Sequence, residues 1–216
     1  MLGALSVALL SCAAPASAAP ASAPAWHTDY QRTGVVIEQI AATGARNAWA
    51  IGRDTSGPGG VLLHWNGKSW SRVSFPMQGV YHWFDGIAAG PKGTAWAVGY
   101  NSGGSVSKTL AMFWNGRAWS ESSGQVDGDF NGVAAVPGGT AWAVGARSFP
   151  SGVSSATVIE RWNGKAWAKV ASPTLASGGQ LSAVAAASTG SAWAVGFTGV
   201  LTQKTLILHW NGKKWS

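Results

Sequence analysis

Cysteine is all but missing: Cys12 is the single one in 216 residues. One thiol builds neither a disulfide framework nor a thiolate zinc site. Charge is scarce too, at 11% of residues, with 8 Asp and Glu against 15 Lys and Arg. Carboxylates so few and scattered nominate no glycosidase acid and base pair by spacing. The chain lacks HExxH, GxSxG, GxxxxGK(S/T) and a helix-opening GxGxxG, the signatures of metalloprotease, hydrolase, nucleotide and dinucleotide chemistry. The sialidase-type Asp box is absent as well. Beyond the first residues nothing approaches the ~18 apolar residues of a membrane span.

What is present is aromatic and small. Fourteen Trp, thirty Gly and 46% apolar residues, with mean hydropathy of +0.09, fit neither a disordered tail nor a helical membrane bundle. One globular, all-β domain is the expectation. Ahead of it, the apolar stretch from Leu2 to Leu10 and the small-x-small Ala16-Ser17-Ala18 read as a signal peptide over residues 1–18, hence as export. The alternative is a lipoprotein leader, in which Leu9-Leu10-Ser11-Cys12 serves as a lipobox and Cys12 is the anchor. Residues 19–35 form an Ala/Pro/Ser linker in which Trp26 to Tyr30 offers a closing strand.

From residue 36 onward the chain repeats itself. Ala-Trp-Ala-(Ile/Val)-Gly recurs with its Trp at Trp49, Trp96, Trp142 and Trp193, at intervals of 47, 46 and 51 residues. Trp-Asn-Gly-(Lys/Arg)-x-Trp recurs with its first Trp at Trp65, Trp114, Trp162 and Trp210, at intervals of 49, 48 and 48. A period near 48 means one supersecondary unit per copy. Each unit parses into four short strands, giving blades at about 36–76, 84–122, 130–173 and 181–216. Period-2 alternation puts Trp96 and Val98 on one face and Ala95, Ala97 and Gly99 on the other, so a bulky face can pack on a bare one. Asn66-Gly67 predicts a two-residue type I′ hairpin pairing Trp65 with Lys68 and Leu63 with Trp70.

Four antiparallel strands per copy make the blade of a β-propeller. Gly52, Leu62, Trp70, Val73 and Pro76 stand where kelch and galactose-oxidase-type repeats place such residues. The chain resembles those repeats, and more closely the exported actinobacterial-type proteins built on AWAVG and WNGKxW, most of which have no assigned function. The resemblance implies a β-propeller-like array of four four-stranded antiparallel blades. The last strand stops at Ser216, two residues short of the position matching Val73. The expectation is therefore either an open arc, as in a fragment of a larger ring, or a four-bladed ring closed by the N-terminal strand, with self-association through open blade edges.

Twelve of the fourteen Trp recur in every copy, as packing requires. Trp26 and Trp83 do not. Tyr81-His82-Trp83-Phe84 sits in the connection between blades one and two, on the face shared with the loops joining second to third strands. That face gathers Tyr81, His82, Trp83, Asp85 and Tyr100 as candidate ligand-binding residues, with Asn101, Asp127 and Arg147 nearby. Among the His residues, His64 and His209 share one repeat position and read as packing. Asp127-Gly128-Asp129-Phe130-Asn131-Gly132 matches the opening of a calcium loop, with Asp127, Asp129 and Asn131 as ligands. A solvated turn is the alternative, because Ala135 and Gly138 stand where later carboxylates belong. Lys68, Arg117, Lys165 and Lys213 ring the opposite face, where they either meet an anionic polymer or keep the sheet ends soluble. The reading is a secreted, non-catalytic binding module for glycan or a cell-surface protein, with a carbohydrate-active enzyme as alternative. No organic cofactor and no nucleic acid partner is expected.

Overall fold

The computed structural model describes residues 28–57, 59–76, 81–122, 126–148, 155–199 and 202–216. The signal peptide, Cys12, Trp26 and most of the linker lie outside these residues. Among the described residues, no helix is long and apolar enough to cross a membrane.

The chain is all-β, and every blade is an antiparallel meander. Blade one comprises β1 (Val35–Gly44), β2 (Asn47–Asp54), β3 (Gly60–Trp65) and β4 (Trp70–Arg72). Blade two comprises β5 (His82–Ala89), β6 (Ala95–Asn101), β7 (Lys108–Trp114) and β8 (Trp119–Glu121). Blade three comprises β9 (Asp129–Val136), β10 (Thr140–Ser148), β11 (Ser155–Trp162) and β12 (Trp167–Lys169). Blade four has β13 (Gly179–Ser188), β14 (Ser191–Thr198) and β15 (Lys204–Trp210), with its fourth strand reduced to the Trp210–Trp215 bridge.

The alternation read from AWAV sets the packing between blades. Trp49, Ile51 and Leu62 of blade one meet Ala95, Ala97, Leu110 and Met112 of blade two. Trp96, Val98 and Ala111 then meet Ala141, Ala143 and Val158, and Trp142, Val144 and Ile159 meet Ala192, Ala194 and Leu208. The alanines leave room for the indole ahead of them. The indoles of the first three blades also enter a fork made by the two Trp of the next blade's WNGKxW hairpin. Trp49 lies 4.9 Å from Trp114 and 5.0 Å from Trp119, Trp96 lies 5.1 and 5.0 Å from Trp162 and Trp167, and Trp142 lies 5.0 and 5.1 Å from Trp210 and Trp215. The back of each indole is covered within its own blade by the residue opposite it: His64, Phe113, the Arg161 guanidinium or His209. A packing role for His64 and His209 follows directly.

The hairpin differs from the one the Asn-Gly dipeptide predicts. Trp65 pairs with Trp70 and Leu63 with Arg72, so the loop has four residues and the two indoles stand directly opposite each other. Asn66 Oδ1 accepts hydrogen bonds from the Lys68 and Ser69 amides at 2.9 and 3.0 Å, and Gly67 alone takes a positive φ of 92°. Asn115, Asn163 and Asn211 repeat the arrangement. Asn acts here through its side chain, which a two-residue turn does not need.

The Gly that ends each AWAVG has a different cause. The innermost strand of every blade carries a bulge opposite it, at Glu38, Asp85, Asn131 and Ser182. The bulge drives a backbone carbonyl over the glycine. A Cβ on Gly52, Gly99, Gly145 or Gly196 would collide with the carbonyl oxygen of Val36, Trp83, Asp129 or Gln180.

The array does not close on itself. Among the described residues no N-terminal strand joins blade four; Tyr30 packs on Ala50, Val61 and Leu63 of blade one, on the side away from blade two, and Trp26 and His27 of the expected closing strand lie outside the described residues.

Candidate functional site

The candidate residues sit where β5 and β6 end together. The register sets His82 opposite Asn101 and Trp83 opposite Tyr100, and the Ser102 amide donates to the Tyr81 carbonyl at 2.9 Å. Alternation then sends neighbours to opposite sides, and the run of four rings splits. Phe84 is buried in the core between blades one and two. His82 follows it to that side, edge-on to Phe75 at 5.3 Å, and lines a cleft of about 380 Å³ with Asp54, Arg72 and Phe75. Its Nδ1 is buried without a hydrogen-bond partner, and burial holds its pKa below the ordinary histidine value. Tyr81 is largely exposed.

Trp83 and Tyr100 project together from the other side. Both are half-buried. Trp83 is the one Trp among the described residues whose ring touches no described aromatic ring, whereas the recurrent ones all stack or cross.

Beside them lie carboxyl groups that the chain's spacing did not connect. Asp85 is the bulge residue of β5, and its pKa is pushed up to about 6 by burial first, then by the charges of Glu38 and Asp129. Asp129 is itself raised by burial, with a Ser107 hydrogen bond opposing the shift, and its Oδ1 is buried without a partner. Tyr100 is raised by burial and by the charges of Asp85 and Asp129. Glu38 was not a candidate by sequence. Aligning the repeats one position at a time would have exposed it, because Glu38, Asp85, Asn131 and Ser182 put a polar residue at the same bulge in each copy.

The three calcium candidates engage separate partners. The Asp127 carboxylate takes Lys108 and, at 3.1 Å, Arg147. These cations hold its pKa below the usual carboxylate range. Asp129 turns to Ser107, and the Asn131 amide donates to the Leu181 carbonyl at 2.8 Å, tying blade three to blade four. The Gln39 amide makes the corresponding link to the Asp85 carbonyl at 2.7 Å. Among the described residues, no three His, Cys, Asp or Glu are grouped to hold a metal ion.

Fold and site together define a propeller-type repeat protein with an aromatic and carboxyl cluster on its loop face. No protein-family model matches the chain, and no curated protein matches it. It is similar to a number of solved structures, of which three serve as examples. One is YCF48 bound to a D1 peptide, at 13% identity and a TM-score of 0.38 over 85% of this chain and 67% of that one. Another is a glycoside hydrolase, at 8% identity and 0.43 over 88% and 75%. The third is the GH74 xyloglucanase from Xanthomonas campestris, at 14% identity and 0.37 over 86% of this chain and 36% of that one. Likenesses at this level carry nothing about ligand or activity.

Proposed function

We propose that the protein is an exported, non-catalytic binding module that holds an extracellular or cell-surface glycan on its loop face, with the sugar stacked on Trp83. The observation that carries this reading is the Trp83 ring. Twelve other described indoles find aromatic partners inside the array, whereas this one stands half-buried, opposite Tyr100 on the neighbouring strand, with no ring contact among the described residues. An indole face of that kind suits the apolar face of a pyranose, and Tyr100, Asp85 and Tyr81 supply hydrogen-bonding groups around it. The test is retention of the full chain on cellulose, chitin and peptidoglycan together with a glycan array. Trp83→Ala removes binding while leaving the melting temperature nearly unchanged. Binding that survives Trp83→Ala refutes the site.

A second reading has its own observation. Asp85, its pKa pushed up to about 6 by burial and then by the charges of Glu38 and Asp129, has the elevated pKa of a general acid near other carboxyl groups. In that reading the chain cleaves the glycan. Release of reducing ends from the retained polymer, lost in Asp85→Asn, would establish it; bound but uncleaved polymer supports the binding module.

A further inference from the structure

The two ends of the array carry the two halves of one interface. On blade four, Trp193, Val195 and Ile207 are 51%, 42% and 57% exposed. The register shows that they occupy the positions of Trp49, Ile51 and Leu62 in blade one, of Trp96, Val98 and Ala111 in blade two, and of Trp142, Val144 and Ile159 in blade three. All nine of those are buried against the next blade. On blade one, Ile37 and Ile40 are 40% and 63% exposed. They stand where Phe84 and Ile87 of blade two, and Phe130 and Val133 of blade three, are buried against the blade before.

The aromatic pairs of both halves already have the spacing they take between blades. Trp193 keeps its stack on His209 at 4.2 Å, matching Trp49 on His64 at 4.3 Å. The Trp65–Trp70 fork, which receives no indole among the described residues, is set at 5.8 Å, against 5.9 Å for each of the three forks that do. Preformed faces lose little freedom on docking. Tyr30, which rests on Ala50, Val61 and Leu63, is the side chain an incoming blade displaces.

We propose that two copies of this chain pair head to tail, the Trp193 face of blade four in each docking on the Ile37/Ile40 face and the Trp65–Trp70 fork of blade one in the other. A single chain would have to rotate about a quarter turn per blade to close as four, and this array stays open. Two copies supply eight blades, within the range of about 4 to 8 in which such rings close, and a head-to-tail contact that closes at two copies leaves no free end to propagate.

The test is the solution mass of the full chain, by light scattering and sedimentation at rising concentration. The expected mass is twice that of one chain. Trp193→Ser halves it, and so does Ile37→Glu with Ile40→Glu. The altered side chains are exposed within one chain, so near-ultraviolet circular dichroism shows both variants folded. Because the two variants damage opposite faces, mixing them restores a pair through the one intact contact. A wild-type monomer at the highest soluble concentration overturns the proposal, as does a pair that survives Trp193→Ser. Mass that grows beyond two copies with concentration overturns the closed ring.

Discussion

Four tryptophans in identical Ala-Trp-Ala surroundings should differ in what they contribute, and only by where their blade stands. Trp96 is 3% exposed, with Phe113 at 4.5 Å on one side and Trp162 and Trp167 at 5.1 and 5.0 Å on the other. A buried aromatic of this size removes ~150–250 Å² from water, which at ~25 cal/mol per Å² is about 4–6 kcal/mol. Replacement by Ala in a packed core typically costs ~3–5 kcal/mol, cavity included. Trp193 is 51% exposed and keeps one ring partner, His209. About half the area is at stake and no enclosed cavity forms, so Trp193→Ala should cost about 1–2 kcal/mol. For a chain of this length each kcal/mol moves the melting temperature by ~2–4 °C. Trp96→Ala should therefore melt roughly 6–20 °C below the parent and Trp193→Ala only about 2–8 °C below. The assay is thermal and denaturant unfolding at sub-micromolar protein, where any pairing of copies is diluted out. Equal costs for the two variants would refute the open face of blade four and, with it, the account of packing between blades.

Three further outcomes follow from the same geometry. Gly99→Ala sets a Cβ against the Trp83 carbonyl oxygen, and it should cost ~1–3 kcal/mol or more by overpacking; denaturant unfolding that leaves the midpoint unchanged would refute the bulge as the reason for this glycine. Asp85 rises from 3.8 to about 6 on folding, so the native state holds its proton more tightly, and stability present below about pH 4 declines as pH rises through 6. Asp85→Asn should thus stabilise the chain by about 1 kcal/mol at pH 7, after allowance for solvent screening, and change little at pH 3.5, as read from melting curves across pH. Millimolar calcium should leave the melting temperature where it is, because Asp127 is already paired with Lys108 and Arg147; a rise abolished by Asp127→Ala would instead make the loop a calcium site.

Some of the candidate site was legible in the chain and some was not, for definite reasons. Trp83 stood out because it breaks the repeat, and among the described residues its ring has no aromatic partner. Phe84 was adjacent and equally aromatic, yet alternation along β5 buries it in the core. The carboxyl cluster was hidden because Glu38, Asp85 and Asp129 come from three different blades. Glu38 and Asp85 are bulge residues, a placement that no spacing rule announces. The Asn-Gly turn misled for a local reason: the dipeptide serves a two-residue turn through backbone φ and a four-residue turn through the Asn side chain, and only the strand register distinguishes them.

The sequence by itself determined the number of copies, the four strands in each of the first three with the last cut short, and which face of a strand such as AWAV is bulky and which bare. Those properties are local and periodic: alternation with period two and a motif recurring near 48 residues are written into the order of residues. The tertiary structure alone decided that Trp49, Trp96 and Trp142 enter the Trp fork of the following blade, that Tyr30 lies on blade one, and that Trp193 stays half open while its three counterparts are buried. The reason is that an identical AWAV strand gains its burial from its neighbour, and the neighbour is a property of the blade's place in the array.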